Sequence, residues 1–442
     1  MNDRLQRAQE LKQALTDFVL DAEGDLAIAL ETFSAEQLSR SQQQDMYQRN
    51  LVVDRFLVEG RVGNTTPIQQ FLAATADLTE SDRQLVMQWP QAFVGLFEVV
   101  QILPDGFELM NWTTTKRYTV QPLDAKTLTA MARLKVGEIV LTQLAPLDAT
   151  TWIIFSQWTS LGKLGKPKLA VAIGNFKQNY KQHLYSDAPE LLAEAWRSVE
   201  QYHQNFIDFF GSDEVTLSGY QLSKKLAELQ AQTTQAQLDA AGIDPTKSLA
   251  EMATEAGTSQ EELAEAAAAM GVDANTATHL LEKKGAMAMA PAQVELPPHL
   301  KNAEQVTALT HPRWGQVFLP TYSRLKAVVA EVAIAPDAAK LVNQCLANAE
   351  MNRFVWQRLA TEYPAQLETV LRSVLARPTF DLQQDLEGLL TEHGKPLEPE
   401  LPEVASVPLH LHTLFQDALL EIKKEKPKGK AKPQKAGFGA KG

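Results

Sequence analysis

Residues 1–95 carry apolar side chains three and four apart between short polar breaks, the period of amphipathic helices. The opening MNDRLQRAQELKQALTDF follows this pattern, and AEQLSRSQQQDMYQRNLVVDRFLVEG continues it as far as Gly60. NTTPIQQFLAAT predicts a further helix, with Thr66 as N-cap and Pro67 at the first helical position, where its missing N–H does no harm. TESDRQLVMQW starts from Thr79, and Pro90 ends it.

The period then shortens. GLFEVVQIL, GFELMNW, KRYTVQP, GEIVLTQLAPL and TTWIIFSQW are five short runs rich in β-branched and aromatic residues, separated by turn signals such as Pro104-Asp105-Gly106. Helical DAKTLTAMARLKV interrupts the third and fourth. Five strands of this length over residues 96–157 predict a small, half-open barrel of SH3-like or OB-like size. Phe97, Phe107, Trp112, Tyr118, Trp152 and Phe155 would fill its interior or one face, or form a base-stacking platform.

Residues 158–226 read as a helical segment packing on the barrel. DAPELLAEAWRSVEQYHQNFIDFFG places Leu192, Trp196, Val199, His203, Phe206 and Phe210 on one stripe, with Asp187 as N-cap and Gly211 as the stop. Residues 227–285 turn Ala-rich and acidic and predict a helical hairpin hinged at Gly271. Residues 286–300 read as a linker, 301–393 as a helical domain and 394–408 as a Pro-rich linker. Residues 409–422 predict a helix, and 423–442 a disordered Lys-rich tail. The fold class is therefore mainly α with one small β-barrel, in a multi-domain chain.

Composition narrows the function. At 442 residues, 45% hydrophobic and 22% charged, the chain reads as an ordinary globular protein without a span long enough to cross a bilayer. The start lacks an apolar signal region. The single cysteine, Cys345, excludes an internal disulfide framework and a Cys-based zinc knuckle, and reads as a small buried hydrophobe. These features fit a cytoplasmic or stroma-like reducing compartment. The net charge of -12 conceals a division: residues 423–442 hold eight Lys and one Glu, a net +7, leaving -19 on the rest.

Catalytic patterns fail on context. Gly437, Gly439 and Gly442 spell G-x-G-x-x-G, but no strand precedes them and no helix follows to bind a pyrophosphate. No phosphate-loop, G-x-S-x-G or H-E-x-x-H motif occurs. Glu200 and His203 form one Glu-x-x-His pair where a di-iron site needs two. His410 and His412 are a weak metal pair. The expectation is a non-enzyme with neither cofactor nor metal, and without sequence-specific DNA recognition.

The basic features lead elsewhere. From Ala149 to Ser186 no acidic residue occurs, while Lys163, Lys166, Lys168, Lys177 and Lys181 alternate with Trp158, Phe176 and Tyr180. Such a flank beside a barrel suits RNA or a ribosome, with Tyr180 stacking on a base; alternatively it pairs with the acidic body. The tail offers Lys423, Lys424, Lys426, Lys428, Lys430, Lys432, Lys435 and Lys441 for electrostatic capture, and Phe438 between two glycines as its apolar anchor. The leading reading is a protein-binding or assembly factor whose tail captures an anionic protein or ribonucleoprotein. The alternatives are an RNA- or ribosome-associated factor and an enzyme whose site is assembled from distant residues.

NLVVDRFLVEGRVGNTTPIQQFL followed by FVGLFEVVQI resembles the helix-plus-small-barrel region of bacterial SEC-C-motif proteins, over roughly a quarter of the chain. The several Cys of that family's zinc motif are absent here, since Cys345 stands alone. The Lys-rich GFG ending looks like the tails of uncharacterised cyanobacterial and chloroplast proteins. Neither resemblance implies a known activity.

Overall fold

The computed structural model describes residues 3–39, 46–123, 125–131, 133–240, 296–332 and 336–425. The chain divides into two compact units, Met1–Pro189 with Pro408–Gly442, and Glu190–Val407. It is mainly helical with one small barrel, and no helix among the described residues is long and apolar enough to cross a membrane.

The first unit opens with α1 (Asp3–Leu20), α2 (Asp25–Ser39), α3 (Met46–Glu59), α4 (Pro67–Ala74) and α5 (Glu80–Gln88). Leu5, Ala8, Leu11, Leu15 and Val19 keep α1's buried stripe at helical spacing. Both expected caps form full capping boxes: Thr66 with Gln69, and Thr79 with Asp82. Arg7 also grips Asp82 through two bonds of 2.8 and 2.9 Å, so α1 is tied to the start of α5. The Arg7 guanidinium holds the Asp82 carboxyl well below the usual carboxylate range.

The barrel follows: β1 (Phe93–Leu103), β2 (Gly106–Asn111), β3 (Arg117–Pro122), α6 (Ala125–Met131), β4 (Ile139–Pro146) and β5 (Thr151–Ile154), with β6 (Thr159–Gly162) extending one side of β4. β1, β2 and β3 form an antiparallel meander, β3 pairs with β5 in parallel, β5 with β4, and β4 returns to β1. This Greek-key ring is the OB arrangement rather than the SH3 one.

The barrel is closed, not half-open. The long β1 serves two neighbours: Phe93–Glu98 pair with β4, and Phe97–Leu103 with β2, around a bulge between Val99 and Gln101. Gly106 makes the tight entry to β2 possible, because a Cβ there would lie 2.1 Å from the Val120 carbonyl oxygen. The barrel begins at Phe93 rather than residue 96, and β6 carries its sheet to Gly162.

Phe93, Phe97, Phe107, Tyr118 and Val120 fill the interior, with Trp152 and Trp158 packed partly against them. Phe155 points the other way, into the core shared with the N-terminal helices, edge-on to Trp89 at 5.3 Å between ring centres. After β6 come α7 (Lys166–Asn179) and α8 (Pro189–Phe210); α15 (Leu409–Glu425) belongs to the first unit. Asp187 does not act as the simple N-cap expected for α8; barrel side chains take up its Oδ2.

The second unit holds most of α8, then β7 (Glu214–Leu217), α9 (Gly219–Ala240), β8 (Val306–His311), β9 (Gly315–Leu319), α10 (Tyr322–Ala330), α11 (Pro336–Ala347), α12 (Arg353–Glu362), α13 (Pro364–Val374) and α14 (Leu382–Glu392). Gly211, at φ +76°, ends α8 as expected. Val199 and Phe206 of the α8 stripe are buried, whereas Leu192 is exposed.

Residues 158–226 and 301–393 are not wholly helical. β6 and β7 lie in the first range, and the hairpin β8–β9 in the second; β7, β8 and β9 form a three-stranded antiparallel sheet. The hairpin core joins α10–α14 through Leu309, Val317 and Leu319, and Cys345 is a buried member of that core. Of the acidic stretch 227–285, α9 covers the part up to Ala240 and 241–285 lies outside the described residues. Of the linker 286–300, only 296–300 is described, and the tail beyond Glu425 lies outside as well.

Candidate functional site

The acid-free stretch resolves into β5, β6, α7 and the turn Lys181–His183. Leu169, Ile173 and Phe176 give α7 a buried stripe, and α15 packs along this helix. Leu411, Leu414 and Ala418 are buried on α15. One ion pair joins the two helices: Lys166 Nζ lies 3.1 Å from Asp417 Oδ2, with the carboxylate 7% and the lysine 36% exposed. His410 Nε2 lies 3.0 Å from the Trp112 carbonyl in the β2–β3 turn. A carbonyl only accepts, so Nε2 carries the proton. Burial pushes the His410 pKa down, against the opposing pull of that bond.

A second anchor comes from α3. Glu59 accepts two bonds from Arg55 (2.9 and 2.7 Å), one from Gln182 (2.7 Å), and lies 2.9 Å from His183 Nε2. Burial works to raise the Glu59 pKa, but His183 and Arg55 outweigh it and bring it down to about 2. Arg55 also lies over the Tyr180 ring, which stacks on Phe176 at 5.2 Å.

The third anchor is Asp187. Its Oδ2 accepts from Asn111 Nδ2 (3.0 Å), Thr114 Oγ1 (2.8 Å) and Tyr118 Oη (2.5 Å), and its carbonyl accepts from Lys116 Nζ (2.7 Å). The chain leaving α7 is thereby fixed to the β2–β3 turn.

The sequence-predicted basic residues therefore divide. Lys163, Lys168 and Lys181 are exposed and Lys177 half-buried on the α7 flank. Lys166 is engaged with Asp417, an instance of the basic flank pairing with an acidic body. Tyr180 sits between Arg55 and Phe176, and Phe176 is buried, so neither aromatic faces an incoming base. Of the tail residues, Lys423 and Lys424 lie in the last turn of α15, with side chains outside the description. Lys426, Lys428, Lys430, Lys432, Lys435, Phe438 and Lys441 lie wholly outside the described residues.

The barrel face offers less to an anion. An OB barrel meets oligonucleotides with its β2–β3 surface and the β1–β2 and β4–β5 loops. Here those loops carry Asp105 and Asp148, and the outward positions are Glu108, Met110, Arg117, Thr119 and Gln121. Arg117 lies 3.5 Å from Glu108, and no aromatic side chain stands among these positions.

The second unit holds an ionic network that the sequence did not announce. Arg358 reaches Asp213 (2.6 and 3.1 Å), Glu214 (3.2 Å) and Glu362 (3.0 Å), while Lys326 reaches Glu214 (3.2 Å) and Glu362 (2.8 Å). The Arg358 bond holds Asp213 below the ordinary carboxylate range. His203 lies 3.4 Å from Thr310 Oγ1, a local partner for this stripe histidine. Among the described residues, no group of three His, Cys, Asp or Glu is arranged to hold a metal ion.

No protein-family model, curated protein or solved structure matches the chain.

Proposed function

We propose that the chain is a non-enzymatic binding or assembly factor that captures an anionic protein partner with the α7 flank and the C-terminal lysines acting together. The observation that carries this reading is the packing of α15 along α7 within one unit. The tail continues directly from α15, so the two basic features, far apart in sequence, start from one place. Basic charge gathered there on an otherwise acidic chain raises encounter rates with an opposite surface and leaves the rest of the molecule repelling it. Two linked contacts also bind more tightly than either alone.

The RNA reading draws support from the OB connectivity. It draws none from the outward β2–β3 positions, which lack the aromatics and free cations that single-stranded binding uses. Affinity capture with the full chain and with a chain ending at Glu425 tests the proposal. Partners should be retained by the full chain, survive RNase, and be lost on truncation. Equal retention by both chains contradicts the role of the tail, and loss on RNase treatment moves the function to RNA.

A further inference from the structure

We infer that the hollow between the α1–α2 corner and the α3–α4 connection is the resting seat of this chain's own GFG segment, with Phe438 on its floor and the neighbouring lysines on its rim. The hollow measures about 490 Å³ and is lined by Glu23, Asp25, Leu26, Ile28, Arg61 and Val62 among others. Its apolar side is uncovered at Ile28, which is 61% exposed. A large aliphatic side chain left open in a concavity gives an apolar anchor a surface to cover.

The rim is acidic. Asp21, Glu23, Asp25 and Glu31 fall within eleven residues that hold no Lys or Arg. Among the described residues, Glu23 and Asp25 have no hydrogen-bonded or ionic partner.

The tail supplies the complement. Phe438 is the only aromatic residue after Phe415. Gly437 and Gly439 allow the backbone to come close to a wall, and Lys435 and Lys441 stand three residues to either side. The hollow and α15 belong to the same unit. Phe438 lies thirteen positions beyond Glu425, a reach of up to about 45 Å. A unit of this size has a radius of gyration of only about 17 Å. Tethering makes the local concentration of the segment high enough for weak contacts to be occupied.

This inference rests on the capture reading and gives it a control. A seated tail withholds its lysines, and an anionic partner competes with Glu23 and Asp25 for them.

The test uses the full chain with p-benzoylphenylalanine at position 438, irradiated and mapped by mass spectrometry. The expected products are crosslinked monomers attached at residues 26–29 or 61–63. Glu23→Lys with Asp25→Lys should lower the yield about fivefold, as loss of two exposed charge contacts allows. Ile28→Asp should lower it too, with an unchanged circular dichroism spectrum confirming each fold. Poly-L-glutamate should displace the segment and lower the yield in the unmutated chain. Attachment elsewhere, attachment only in dimers, or a yield indifferent to charge reversal overturns the inference. Poly-L-glutamate binding measured on the same samples separates the two claims. Tail-dependent binding without attachment in the hollow removes the seat alone; attachment in the hollow with binding that ignores the tail removes the capture reading.

Discussion

The outer β2–β3 face of the barrel and the α7 flank both belong to the first unit, yet they present opposite chemistry. The first is where an OB barrel would meet a polyanion, and it shows Glu108 beside Arg117 with Asp105 and Asp148 in the adjoining loops. The second has no acid from Ala149 to Ser186 and exposes Lys163, Lys168 and Lys181. Topology alone points to the β2–β3 face, whereas charge points to the α7 flank. The barrel's contribution to the flank is structural: its β2–β3 region binds Asp187 after α7 and His410 at the start of α15.

The largest effect should come from removing the support of α7. Glu59→Gln leaves Arg55 and His183 without their shared carboxylate and should cost about 3 kcal/mol, the size of a shift from the ordinary range down to about 2. The sign follows from a depressed folded pKa. The contribution is complete above the ordinary Glu value and disappears as pH falls from there toward 2. Urea unfolding at neutral and at acid pH should show the variant and the parent converging at low pH. A gap that persists unchanged at low pH contradicts this account of the network.

A smaller effect is expected at the flank itself. Changing Lys163, Lys168, Lys177 and Lys181 together to Gln should weaken binding to poly-L-glutamate about tenfold at low salt, a few tenths of a kcal/mol for each lysine. Fluorescence anisotropy with labelled polymer reads this directly. The smallest effect belongs to the barrel face. Arg117→Gln should change the same affinity by less than about twofold, because that guanidinium already faces Glu108. A larger loss from Arg117 than from the four lysines would reverse the contrast between the two faces.

What could be read from the sequence was local. Thr66 and Thr79 announce their helices because a cap and its N3 partner lie three residues apart. The barrel strands announce themselves by β-branched and aromatic runs, but its closure depends on β1 pairing with β4 more than forty residues away. The hairpin β8–β9 went unread because its turn, His311–Gly315, lies among helical patterns and its third strand, β7, precedes it by about ninety residues.

The candidate site was half legible. The acid-free run marked the α7 lysines, but nothing in the run shows that Phe176 turns inward or that Tyr180 lies under Arg55. Lys166 and Asp417 meet across 251 positions. The available signal was a pair of stripes without local partners, Leu169-Ile173-Phe176 and Leu411-Leu414-Ala418. Asp187 shows the limit most clearly: its spacing before Pro189 suits a cap, and its Oδ2 is taken by three donors from the barrel.

The decisive measurement is the salt dependence of poly-L-glutamate binding by the full chain and by a chain ending at Glu425. Each cation engaged adds to the slope of log affinity against log salt, and the truncation removes six lysines while keeping those of the α7 flank. Capture by flank and tail together predicts that on the order of half the slope disappears and that affinity falls most at low salt. Identical slopes for the two chains would contradict it.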